Sequence, residues 1–301
     1  MTKPTIATVA LSGCFGCHTA LLDAHEGLVD LLGVADLVYS PFTVGDEIPE
    51  ADIILVEGAV ATDHDADTAR IARAKARTLV AMGTCASYGG IGALRNLHPR
   101  REVVGAAFGE GSTLGRAHGA GVVPELAPRV RALRDVVQVD AYVPGCAPVT
   151  ADLVSALTAL LAGEEIPAPH RNLCVECGRK HSKMLVHGRD FVSDAVYSVM
   201  ELDEIDPDLC FLEQGVICMG AMTREGCDAR CVKANSPCRG CMGPSRLDFE
   251  QGAKMVDTLA AILPAGAISF LDDLIGTGYR FTMPVSTFPT IYDHKEGGTD
   301  E

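Results

Sequence analysis

The first half of the chain alternates between short apolar runs and stretches whose apolar positions recur at helical spacing. Ile6 to Leu11 is the first run, and Leu21, Leu22, Leu28, Leu31 and Leu32 then fall on one side of a helical pattern. Ala35 to Phe42 reads as a second strand, closed by a turn rich in Pro, Gly and Asp. Within Ala51 to Val60, the unbroken Ile53-Ile54-Leu55-Val56 offers no polar face, the pattern of a strand buried on both sides in a parallel sheet. Asp63 to Ala76, rich in Ala and Arg, predicts an exposed helix, and Thr78 to Met82 a fourth strand. Val136 to Val143 follows as a further strand, and Thr150 to Ala162 as a helix carrying Val154, Leu157, Leu160 and Leu161. Strands and helices in alternation predict an α/β fold with a doubly wound parallel sheet.

Between about Asn96 and Arg134 the pattern weakens, and Gly109, Gly111, Gly115, Gly119 and Gly121 predict a long irregular surface excursion. Glu164 to His170, with Pro167 and Pro169, reads as a linker. Beyond it periodicity is poor, so the expected organisation is a first domain over residues 1–165 and a smaller, loop-rich one over 166–301. The last dozen residues, Gly297 and Gly298 among them, read as a frayed tail.

Hydrophobic residues make up 48% of the 301, enough to bury an interior without cross-links. The net charge of −15, with no basic cluster, argues against nucleic acid and anionic membrane surfaces as partners. Lys3 and the apolar residues before Cys14 superficially match a lipoprotein leader, but the run is short and carries Thr, so it reads as a buried first strand. No apolar stretch approaches bilayer length, which predicts no direct membrane insertion. The expected compartment is the cytoplasm, where cysteine-rich patterns signify metal or redox chemistry and not structural disulfides.

The chain holds 12 cysteines. Cys14, Cys85 and Cys146 each follow the end of a predicted strand after a glycine-containing turn: Ser12-Gly13-Cys14, Gly83-Thr84-Cys85 and Pro144-Gly145-Cys146. Ligands of open parallel sheets bind outside the carboxyl ends of the strands, so these thiols are expected to meet along one edge. Cys17, in the opening turn of the next helix, joins them, and helix N-termini favour anionic groups. Glu57, ending the third strand, is delivered to the same edge. Four thiolates are what one cubane iron–sulfur cluster takes from a protein. Cys14-Phe15-Gly16-Cys17-His18 also matches c-type haem attachment, and its C-x-x-C a thioredoxin-like redox pair, but neither gives a role to Cys85 or Cys146. Zinc accepts four thiolates too, although structural zinc sites draw them from neighbouring knuckles and not from scattered strand ends.

The other eight, Cys174, Cys177, Cys210, Cys218, Cys227, Cys231, Cys238 and Cys241, crowd the second half. Gly215, Gly220, Gly226, Gly240 and Gly243 surround them and let backbone N–H groups turn toward sulfur. Order alone leaves many ways of dividing eight ligands into two sets of four, and two zinc sites stay open at this point.

Several segments taken in order resemble the small, electron-transferring subunit of nickel–iron hydrogenases. They are Leu11-Ser12-Gly13-Cys14-Phe15-Gly16-Cys17-His18, Val56-Glu57-Gly58, Gly83-Thr84-Cys85-Ala86-Ser87-Tyr88-Gly89-Gly90, Val143-Pro144-Gly145-Cys146-Ala147-Pro148, Asn172-Leu173-Cys174 with Cys177, Gln214-Gly215-Val216-Ile217-Cys218-Met219-Gly220, and Pro237-Cys238-Arg239-Gly240-Cys241-Met242-Gly243-Pro244. Nearly the whole chain is covered, and the cytoplasmic, viologen-reducing type of methanogens is the nearest match. The resemblance implies a flavodoxin-like N-terminal domain holding a proximal 4Fe-4S cluster on Cys14, Cys17, Cys85 and Cys146. It places a distal 4Fe-4S cluster on Cys174, Cys177, Cys210 and Cys218. A medial cluster falls on Cys227, Cys238 and Cys241 with Cys231 as the fourth ligand, both within a second, iron–sulfur domain. Cys174 stands where periplasmic and membrane-bound relatives carry His, and Cys231 is available where many have proline at a three-iron cluster. Gly16 stands where oxygen-tolerant enzymes carry an extra cysteine. The signal peptide and membrane tail of those relatives are not seen.

The implied function is an electron relay between a nickel–iron centre on a separate large subunit, where dihydrogen is oxidised or protons reduced, and a downstream iron–sulfur or flavin protein. Glu57 is a candidate for assisting the proximal site or proton movement, and otherwise a structural carboxylate accepting backbone hydrogen bonds. His18, His170, His181 and His187 are expected in structural or exposed roles. A dihydrogen sensor on the same scaffold, a quinone-oxidoreductase-type iron–sulfur subunit and a zinc-stabilised scaffold are the competing readings.

Overall fold

The computed structural model describes residues 3–42, 47–109, 124–166, 171–180, 196–246, 250–262, 271 and 273–287. Gly111, Gly115, Gly119, Gly121, His170, His181, His187 and the C-terminal tail lie outside them. The described residues divide into two compact units, one within Met1–Pro167 plus Phe281–Glu301, the other within Ala168–Arg280.

In chain order the first unit contains β1 (Thr5–Ala10), α1 (Gly16–Leu22), α2 (Glu26–Val34), β2 (Asp36–Tyr39), β3 (Ala51–Glu57), β4 (Val60–Thr62), α3 (Asp63–Lys75), β5 (Ala76–Met82), α4 (Gly83–Tyr88), α5 (Arg100–Phe108), β6 (Leu126–Arg131), β7 (Ala141–Val143) and α6 (Thr150–Leu161). Five strands form one sheet in the order β2-β1-β3-β5-β7, and every neighbouring pair is parallel. Counted within the sheet this is 2-1-3-4-5, the flavodoxin-like order. Alternate residues of β3 serve opposite faces, as the pleat requires. Ile53 and Leu55 pack with Leu21, Leu31, Leu153 and Leu157 from α1, α2 and α6. Ile54 and Val56 pack with Ala66, Ala69 and Ala72, a small-residue stripe that brings α3 close to the sheet.

The predicted first helix is broken into α1 and α2, with His25 at φ +47 between them. The expected excursion over 96–134 is partly ordered: α5 lies in it, and β6 pairs antiparallel with β4 as a separate two-stranded sheet. Only the last three residues of the predicted strand Val136 to Val143 form β7; Val136, Val137 and Val139 pack against the core without joining the sheet. Residues 281–287 belong with the first unit, where Phe281 O accepts the Gly90 N–H at 3.2 Å.

The second unit is built from short pieces: α7 (Cys174–Cys177), α8 (Arg230–Lys233), α9 (Gln251–Ile262), α10 (Leu274–Gly278) and several single 3-10 turns. Its core gathers Leu173, Phe211, Met219, Met222, Met255 and Leu259. Buried Gln251, at the start of α9, donates from Nε2 to Gly240 O at 3.1 Å and Thr223 Oγ1 at 3.2 Å.

Candidate functional site

Register places the first site. Ala10 lies opposite Glu57, Glu57 opposite Met82, and Met82 opposite Val143, so the last residues of four strands form one row. Cys14 follows four residues after Ala10, and Cys85 and Cys146 each follow three residues after Met82 and Val143. The strand order turns between β1 and β3, where such sheets open a crevice at their carboxyl ends. Backbone bonds from Leu11 N–H to Glu57 O and from Ala59 N–H to Ser12 O, both 2.8 Å, tie the chain before Cys14 to the end of β3. Thr84 N–H donates to Gly145 O at 3.0 Å and Gly145 N–H to Thr84 Oγ1 at 2.9 Å, joining the turns that carry Cys85 and Cys146.

Cys17 is buried, while Cys14 and Cys146 reach the surface. Burial pushes the Cys85 thiol up to about 12, with Cys146, Cys14 and Glu57 adding to the effect. Cys17 is raised further, first by burial and then by Glu57, Cys85, Cys14 and Cys146. Cys146 is raised by partial burial and by Cys14. The four sulfurs and one carboxylate thus crowd one space, and a positively charged metal core there would stabilise thiolates at Cys17, Cys85 and Cys146. Gly83 at φ +84 and Gly90 at φ +67 press bare backbone onto this space: a Cβ on Gly83 would overlap Cys17 Sγ, and one on Gly90 would overlap Cys85 Sγ. Among the described residues no three His, Cys, Asp or Glu side chains converge on the point of a single ion. A cubane differs in holding its thiolates apart, one at each iron.

Glu57 and His18, 1% and 3% exposed, form a pair beneath this edge. Glu57 Oε2 accepts the His18 backbone N–H at 2.8 Å and stands 2.5 Å from His18 Nδ1. The imidazole packs edge-on against Phe42, and Phe42 in turn against Phe15. The sequence carries no spacing that announces this pair, since its members come from a helix start and a distant strand end.

In the second unit, Cys174, Cys177, Cys210 and Cys218 line one cavity of about 220 Å³. Burial pushes Cys174 up to about 12, with Cys218, Cys177 and Cys210 contributing. Burial also raises Cys218 and Cys210, opposed at Cys218 by the N–H groups of Gly220 and Cys238 and at Cys210 by those of Leu212 and Glu213. The Cys238 N–H donates to Cys218 Sγ at 3.3 Å. Arg179 and Glu213, which no sequence motif singled out, line the same cavity. The remaining four are Cys227, Cys231, Cys238 and Cys241. Cys227 is raised by burial, by Glu176 and by Cys231; Cys238 is raised by burial, then Cys218, and also by Cys241. Joining these four into one set rests on the family pattern.

Known proteins resemble this chain along most of its length. The family model described as the 20 kDa subunit of NADH ubiquinone oxidoreductase matches residues 14–160, a span that opens at Cys14 and ends before the second unit. A subunit of the F420-non-reducing hydrogenase of Methanothermobacter thermautotrophicus is 38% identical over 310 residues, covering 98% of this chain and 99% of that one. A chain from the crystal structure of an NAD+-reducing [NiFe]-hydrogenase in its H2-reduced state superposes with a TM-score of 0.52 at 35% identity, over 56% of this chain and 97% of that one. A chain of the actinobacterial-type NiFe-hydrogenase from Ralstonia eutropha H16 shares the fold over 91% of this chain and 87% of its own, at a TM-score of 0.51 and 16% identity. Among the described residues no helix is long and apolar enough to cross a membrane. With both units spanned by a relative above 30% identity, the chain belongs to the family of small subunits of F420-non-reducing hydrogenases.

Proposed function

We propose that this chain is the electron-relay subunit of a nickel–iron hydrogenase. In this reading it works against a large subunit that carries the nickel–iron centre and hands electrons to a downstream iron–sulfur or flavin protein. The observation that carries it is the meeting of Cys14, Cys17, Cys85 and Cys146 on one edge of a flavodoxin-order sheet, with glycine backbone pressed against two of the sulfurs. We assign these four to a proximal 4Fe-4S cluster, with residues 1–165 as its domain. The cavity lined by Cys174, Cys177, Cys210 and Cys218 is assigned to a distal cluster. Cys227, Cys231, Cys238 and Cys241 are assigned to a medial one, and both clusters fall in the second unit. Clusters held there would take up and release single electrons.

The chain's own residues supply position, charge and dryness. Glu57 holds the first turn of α1, and with it Cys17, through the His18 N–H. The N–H groups of Leu212 and Glu213 at Cys210, and of Gly220 and Cys238 at Cys218, face sulfur and offset its negative charge. The relatives named as hydrogenase subunits support a partner that handles dihydrogen. Anoxic purification of the complex is expected to give about twelve irons and twelve sulfides per chain, as three cubanes require, with nickel on a co-purifying chain. Dihydrogen should then bleach the visible absorption of the clusters. Stoichiometric zinc with little iron would sink the proposal.

A further inference from the structure

The distal cavity has an unusual wall. Leu173, Phe211, Leu212, Ala221, Val232 and Ile262 make it apolar, and Arg179 and Glu213 are the charged residues among its described lining. Arg179 is fixed there by several contacts. Its Nη1 donates to Asp206 O at 2.9 Å and Leu209 O at 2.7 Å, and its Nη2 donates to Asn235 Oδ1 at 2.6 Å. The guanidinium carbon stands 3.8 Å from the centre of the Phe211 ring. Its Nε is buried and has no hydrogen-bond partner among the described residues. A guanidinium stays charged at any working pH, and setting one against an apolar wall with a donor unspent is costly unless negative charge faces it. Four thiolates on a four-iron core leave net negative charge in the cavity, and each electron that arrives adds to it.

We propose that Arg179 sets the reduction potential of the cluster held by Cys174, Cys177, Cys210 and Cys218. Its fixed positive charge favours the electron-bearing state, and Glu213 on the same wall opposes it. The inference rests on reading those four cysteines as the ligands of one cluster. The electron itself comes from the preceding relay site and leaves to the acceptor; Arg179 neither gains nor loses a proton. Arg179 is half-buried against this apolar wall, so its charge is screened less than it would be in open water. The site is thereby made a sink for electrons at one end of the relay, and Arg179 acts as a positioning charge, not as a ligand.

The test is an EPR-monitored redox titration of the intact complex, with iron counted in each preparation. In Arg179→Gln, full iron with the reduction equilibrium of this cluster moved at least tenfold toward the oxidised state is expected, a shift of about 59 mV for one electron. Arg179→Lys should stay close to the parent, and Glu213→Gln should move the potential the other way. An unmoved potential in Arg179→Gln at full iron overturns the proposal, as does an equal shift in the Lys and Gln variants, which would make shape and not charge the cause. Should Arg179→Gln fail to hold the cluster, Glu213→Gln decides, because an unmoved potential there overturns the electrostatic argument. A parent complex whose iron count leaves this cavity without a cluster overturns the cysteine assignment, and is recognised before any variant is made.

Discussion

Gly83 has φ +84 and stands where a Cβ would overlap the Cys17 sulfur, whereas a Cβ on Gly92 would meet nothing within 4 Å. The two glycines therefore answer the same substitution in opposite ways. Alanine at Gly83 takes on backbone strain of about 1–3 kcal/mol and displaces a sulfur from the site. At Gly92 it removes only freedom of the unfolded chain and stabilises by about 0.4–1 kcal/mol. Gly83→Ala should lose about four irons per chain, one cubane's worth, and melt earlier. Gly92→Ala should keep its iron and melt at the same temperature or higher. Iron assay and thermal melts on the two variants check this, and retention of full iron by Gly83→Ala would show that the backbone there is not pressed on a ligand.

Helix α3 matters to the site through its first turn. Thr62 Oγ1 accepts the Asp65 N–H at 3.0 Å, and Asp65 returns the bond by accepting the Thr62 N–H at 2.9 Å. The same Asp65 oxygen accepts the Ala61 N–H at 3.0 Å and the Ser12 hydroxyl at 2.7 Å. Thr62→Ala removes one cap bond and should cost about 1 kcal/mol, or about 2–4 °C in Tm for a unit of this size, with iron unchanged. Asp65→Ala strands several donors at once and unfastens Ser12, which precedes Gly13 and Cys14. Its expected cost is at least twice as large, at about 2 kcal/mol or more, with weakened iron retention at the first site. Elements of this kind were legible wherever one physical signal dominated. The unbroken apolar run gave β3, and the Ala- and Arg-rich run gave α3. β6, reading Leu-Ala-Pro-Arg-Val-Arg, was hidden because it pairs with only one short partner and carries a proline. α9 did carry a signal: Met255, Leu259 and Ile262 are buried at helical spacing, but the cysteine-rich loops before it masked the change of period.

At the scale of the whole chain, the two units differ in how their cysteines are placed, and that difference decides what could be read in advance. In the first unit the sheet does the placing. Strand ends fall in one row by register, so three cysteines after three strands must share an edge whatever their separation in sequence. The second unit has no such frame among its described residues. Its cysteines are set by individual bonds between loops, such as Met219 N–H to Cys238 O at 2.9 Å and Cys238 N–H to Cys218 Sγ at 3.3 Å. Only the resemblance to a family could divide its eight cysteines. The same contrast predicts how damage spreads. Under the proposed assignment, Cys85→Ser should remove the first site and leave about eight irons, because the cysteines assigned to the other two cubanes come from none of the turns along that edge. Cys218→Ala should not be so contained. It empties the cavity and also deprives the Cys238 N–H of its sulfur acceptor, so the EPR signal of the cluster that includes Cys238 should shift while that of the first site stays fixed. EPR spectra and iron counts of the two variants measure this. An unaltered Cys238 signal in Cys218→Ala would mean that the two sets in the second unit are as independent of each other as each is of the first.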